Sequence, residues 1–159
     1  MKLLKIEGDN FVFRLSKREK LLLCELLKLY PLIPGSYHRT RQQSIVGKVA
    51  SDERLLEEAL AGQRQENKKQ LRRMINEPNR FQEEHAGFRL SLTGQQMEWL
   101  LQVLNDVRVG SWLQLGCPDE KKGKPAKLTD RNARYLFALE TCGLFQFALL
   151  EALEHGPAT

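Results

Sequence analysis

Two hydrophobic periods run along this chain, and each marks out its own elements. Residues 3–6 and 11–15 alternate apolar and polar positions on either side of the turn-forming Glu7-Gly8-Asp9-Asn10, and predict a β-hairpin. From Ser16 the period changes to that of a helix. Ser16 and Glu19 have the S-x-x-E spacing of a capping box, in which hydroxyl and carboxylate satisfy free amides of a first helical turn. That helix is predicted to run to about Tyr30, to present Leu22, Leu23, Leu26 and Leu27 to a core, and to end at Pro31 and Pro34-Gly35. Residues 35–50 follow neither period and read as a long ordered loop or short turns.

Ser51 is placed to cap a long second helix over 52–76, with Asp52 and Glu53 against its positive end. Its apolar stripe is sparse, consisting of Leu56, Ala59, Leu60, Leu71 and Met74, and is interrupted by Gln63 and Asn67. Such a helix lies partly on the surface or extends beyond the body of the domain. Glu77-Pro78-Asn79 breaks it, residues 88–92 form a candidate strand, and Thr93 with Gln96 makes a second capping box. The tetrapeptide Phe-Arg-Leu-Ser occurs at 13–16 and again at 88–91, each time shortly before a capped leucine-rich helix. It reads either as a strand–helix duplication or as a chance recurrence, and it favours pairing of 88–92 with the hairpin. The third helix ends near Gly116, residues 119–127 have the composition of a mobile loop, and Thr129 or Asp130 can cap a last helix. This last helix is apolar on nearly every side, as expected at the centre of a core or at a subunit interface.

Two charges do not fit these patterns. At about 100° per residue, Met97, Leu100, Leu101, Leu104, Val107, Ser111 and Leu115 share one face, and Arg108 falls between Leu101 and Leu104. On the last helix Ala133, Leu136, Phe137, Gly143, Leu144 and Phe147 define a face with Glu140 at its middle. Because an isolated buried charge is costly, the expectation is an Arg108–Glu140 ion pair in the core between antiparallel helices, with Asn105 or Asp106 as additional hydrogen-bond partners. The functional counterpart is a small polar pocket formed by Asn105, Asp106, Arg108 and Glu140, in which arginine forks onto a carboxylate or phosphate.

A formal charge of +5 and a pI near 9.2 leave room for an anionic partner. Lys68, Lys69, Arg72 and Arg73 form a basic patch on the second helix, supplemented by Arg39, Arg41 and the lysines of 121–127. Glutamates share that helix and no aromatic residues interleave, so it reads first as a solvated face and second as a nucleic-acid surface. His38, His85 and His155 lack metal-site spacing, the three cysteines lack CxxC spacing, and neither a P-loop nor GxGxxG is present. No catalytic set, metal or cofactor is therefore assigned. Cys24, Cys117 and Cys142 read as reduced thiols. The first ten residues lack a secretory pattern and no apolar run reaches the roughly 18 residues of a membrane span, so the expected location is the cytoplasm, away from membranes.

Residues 100–116 resemble an uncharacterised family of small bacterial proteins known as a domain of unknown function. The shared pattern is L-N-D-x-R followed by L-G, carried here by Leu104, Asn105, Asp106, Arg108, Leu115 and Gly116, with Trp99 one position early. The resemblance implies a helical fold. Because some relatives are encoded near the adaptor of the Clp protease, it also implies a role in regulated proteolysis. The combined expectation is one mainly α domain over 1–159, an antiparallel helical bundle with a small N-terminal β-sheet and a mobile loop at about 118–128. The expected function is that of a non-enzymatic interaction or regulatory protein with a protein partner or a second copy, meeting it through the second helix and the surroundings of Trp99 and Trp112. The rival readings are a nucleic-acid binder and a small-anion binder or enzyme around Arg108.

Overall fold

The computed structural model describes residues 1–35 and 50–154, and for 50–53 the backbone alone. The loop reading of 36–49, and with it His38, Arg39 and Arg41, lies outside the described residues, as does His155. The elements are β1 (Lys2–Glu7), β2 (Asn10–Leu15), α1 (Lys17–Lys28), α2 (Ala50–Asn76), β3 (Phe81–Glu84), β4 (Gly87–Thr93), α3 (Gly94–Gln114), a short 3-10 turn (Glu120–Lys122) and α4 (Ala133–Glu154). The described residues are thus mainly helical, with one four-stranded antiparallel sheet in the order β1-β2-β4-β3.

Local chemistry explains where these elements start. Both capping boxes are formed: Ser16 accepts from the Glu19 amide while Glu19 accepts from the Ser16 amide, and Thr93 and Gln96 exchange the same pair of bonds. The hairpin turns at Gly8, whose φ of 60° suits glycine. The repeated tetrapeptide lies on β2 and β4, which pair with Phe13 opposite Leu90, Arg14 opposite Arg89 and Leu15 opposite Phe88. Two expectations are corrected. Phe81–Glu84 is a fourth strand, paired with β4, that its sequence does not announce by alternation. Ser51 lies inside α2 rather than capping it. In the hydrophilic stretch after α3, residues 119–124 form a turn closed by the Asp119–Lys124 bridge, and the Trp112 indole N–H donates to the Pro118 carbonyl at 3.0 Å.

One sheet face holds the core. By strand alternation Phe11, Phe13, Leu15, Leu90 and Leu92 point together, and they are buried with Leu23, Leu26 and Leu27 of α1, Met97, Leu100, Val103, Leu104 and Val107 of α3, and Ala138, Cys142, Phe145 and Leu149 of α4. Among the described residues of α2, Leu71 and Met74 are buried in this cluster and Ile75 packs against it, whereas Leu56 and Ala59 of the expected stripe are exposed and Leu60 is half-buried, so the stripe meets the core only near its C-terminal end. The helix is fastened by a polar relay: the Trp99 indole N–H donates to Asn67 Oδ1 (3.1 Å), and Asn67 Nδ2 donates to the Tyr30 hydroxyl (3.1 Å). The Asn67 that interrupts the stripe therefore joins α2 to α3 and to Tyr30, just beyond the end of α1.

Candidate interaction surface

Arg108 and Glu140 do not form a core ion pair. Both are exposed, and Arg108 Nη1 donates to Gln146 Oε1 at 3.2 Å. The buried face of α3 includes Val103 and Gly110 as well as the expected Leu104, Val107 and Ser111. These two residues shift the centre of the face away from Arg108, which is left on its margin. Asn105 is exposed, and Asp106 acts elsewhere: its Oδ1 accepts from the amides of Leu32 (2.6 Å) and Ile33 (3.3 Å), holding the segment after α1 against α3. The four residues expected around one pocket thus do not converge on one site.

On α4 the correction is larger. Tyr135, Ala138, Thr141, Cys142, Phe145, Gln146, Leu149 and Ala152 are buried, so the face named from sequence is largely the opposite one. Phe137 is 50% exposed, Leu144 72%, Phe147 67% and Leu150 48%. Four side chains of this size leave on the order of 400 Å² of apolar surface in water, a patch size that often marks a functional surface. Phe137, Glu140, Leu144, Phe147 and Glu151 recur at alternating steps of three and four, the spacing of a helix-pairing seam. Arg108 borders this stripe, because a side chain built at Gly143 would stand 3.8 Å from its Cζ. By length and composition alone α4 is also apolar enough to cross a membrane, which corrects the reading that no stretch reaches that length.

The remaining candidates are accounted for individually. Lys68, Lys69, Arg72 and Arg73 are all exposed, opposite the buried Leu71 and Met74, and Lys69 lies 3.9 Å from Glu66. Trp99 and Trp112 are half-buried with their indole N–H groups bonded within the chain. Among the described residues no three His, Cys, Asp or Glu side chains cluster as metal ligands.

Cys142, fully buried beside the stripe, has its thiol pushed up to about 12 by burial, against a lowering influence from Arg108. In the unfolded chain a thiol ionises near pH 8.5, so only the folded state keeps this proton between about pH 9 and 12. The Cys142 contribution to stability is therefore intact below about pH 8, begins to fall near pH 8.5, and falls by about 1.4 kcal/mol per pH unit between about pH 9 and 12. Denaturant unfolding of wild type and Cys142→Ala from pH 7 to 11 is expected to show the two stability curves converging above pH 9.

No family model, no curated protein and no solved structure matches the chain.

Proposed function

We propose that this chain is a non-enzymatic interaction protein, whose docking face is the outward stripe of α4 and whose occupant there is a second copy of the same chain. The observation that carries this reading is the exposure of Phe137, Leu144, Phe147 and Leu150 on a helix whose other side is already committed to the core. Large aromatic and aliphatic side chains left in water along a three-four seam are stabilised when a second helix covers them.

Charge favours a second copy in antiparallel orientation. A two-fold axis through Leu144 places Glu140 of each copy level with residue 148 of the other, one turn or less from Gln146, to which Arg108 is bonded. Glu140, which has no ion-pair partner among the described residues, then lies about 7.5 Å along the axis from Gly143 of the other copy, beside which the Arg108 guanidinium stands, so opposite charges face one another across the seam. A parallel arrangement instead sets Glu140 against Glu140. The two charges that fail to pair within one chain thus become complementary across the axis.

Light scattering and sedimentation of the full chain over 1 μM to 1 mM test this reading. The expected result is a monomer–dimer equilibrium that Leu144→Asp weakens by tenfold or more, with Arg108→Glu and Glu140→Arg each weakening it and the double exchange restoring it. A chain that stays monomeric throughout, or a dimer indifferent to all these changes, overturns it.

A further inference from the structure

The sheet face turned away from the core carries a row of like charges. Lys2 stands opposite Arg14, Arg14 opposite Arg89, and Gln82 completes the row on β3. Directly opposed side chains on neighbouring strands point the same way with Cβ atoms about 4.5–5.5 Å apart, and like charges so placed destabilise a sheet. The two arginines are the equivalent positions of the repeated Phe-Arg-Leu-Ser, brought face to face by the antiparallel register. Glu84 pairs with Arg89, whereas Lys2 and Arg14, both exposed, have no ion-pair or side-chain hydrogen-bond partner among the described residues.

Beside this row the surface sinks into a depression of about 310 Å³ lined by Met1, Lys2, Arg14, Ser16, Glu19 and Ala86. Its one carboxylate is already occupied: Glu19 accepts from the Ser16 amide at 2.7 Å and pairs with the N-terminal amine. The hollow thus offers an arginine fork and an ammonium with little competing negative charge.

We infer that Lys2 and Arg14 form a binding site for a small phosphorylated ligand seated in this hollow, with Arg89 next to Arg14 on the same sheet face adding to the positive field. Two unpaired cations and a third partly neutralised one are matched by a group carrying two or more negative charges, and a guanidinium fork fits the paired oxygens of a phosphate. Among the described residues, the strand positions around the row are Lys5, Val12, Ser91 and Gln82, with no aromatic side chain on which nucleic-acid bases could stack. The site is remote in kind from the apolar α4 stripe and does not depend on it.

The test is a titration of the full chain with pyrophosphate at fixed ionic strength, followed by backbone amide and arginine side-chain NMR. Saturable shifts centred on Lys2, Arg14 and Arg89 are expected, with affinity at least tenfold weaker in Arg14→Gln and unchanged in Arg72→Gln on α2. Without ligand, Arg14→Gln is expected to raise Tm by about 1–2 °C, because it relieves the like-charge row. Several results overturn the proposal: shifts that chloride reproduces, shifts centred on Lys68–Arg73, equal affinity in Arg14→Gln, or a lower Tm in that variant. Tighter saturation of the same resonances by a single-stranded oligonucleotide also overturns it, since the ligand is then a nucleic acid.

Discussion

Gly87→Ala is expected to remove about 3–5 kcal/mol, a large part of the roughly 5–15 kcal/mol that holds a typical domain folded. Gly87 begins β4 with φ at 147°, a region that residues with a Cβ adopt only under strain. A Cβ there collides with the Leu15 carbonyl oxygen and comes within 3.2 Å of Leu15 C and 3.3 Å of Ser16 Cα. All three atoms belong to the backbone, so no rotamer change relieves the contact. The strain falls where β2 passes into the Ser16 cap of α1, so sheet pairing and helix start are disturbed together. Chemical denaturation should show a sharply lowered midpoint with an unchanged slope. A loss below about 1 kcal/mol would sink the argument.

The second large effect is Gly110→Ala, whose sign separates tertiary contact from helix propensity. Inside a helix, Gly→Ala is worth a gain of about 1 kcal/mol where nothing obstructs the new methyl group. Gly62 on α2 is such a position, with no atom within 4 Å of its built Cβ, and Gly62→Ala is expected to stabilise by about 0.5–1 kcal/mol. At Gly110 the same methyl group lies 2.6 Å from Leu32 Cβ and Cγ and 2.8 Å from the Leu32 backbone carbon. Leu32 cannot simply retreat, because its amide donates to Asp106 one turn earlier on α3. Overpacking of this kind costs about 1–3 kcal/mol, and separating the segment from Asp106 adds to it, so a net loss of about 2–3 kcal/mol is expected. In a double-mutant cycle Leu32→Ala should recover only part of this loss, since the contact with the Leu32 backbone remains. Full recovery would show that only the side chain obstructs.

These glycines also show how far the chain could be read before its fold was known. Nothing near Gly110 in sequence distinguishes it from Gly62, because the difference is a segment that lies 78 positions away by number, from Leu32 to Gly110. The α4 stripe has the same character. Its residues were legible as apolar, but a helix apolar on all sides contains no periodic signal for which side is covered, and the face marked out by Glu140 proved to be the open one. Arg108 was misplaced for a related reason: periodicity indicates that α3 has a buried face, but Val103 and Gly110 decide where its centre lies.

What the sequence determined by itself is what interactions within a few residues enforce. The Ser16–Glu19 and Thr93–Gln96 boxes, the hairpin turn at Gly8 and the leucine faces of α1 and α3 all follow from local spacing, since their donors, acceptors and steric limits lie within a turn or two of one another. Only the tertiary structure decided that Phe81–Glu84 joins the sheet, that Asn67 bridges Trp99 and Tyr30, that Arg14 meets Arg89, and that Phe137, Leu144 and Phe147 face outward. Each of these depends on which distant surfaces compete most favourably for burial or pairing, a choice made by the whole core and not by any single segment.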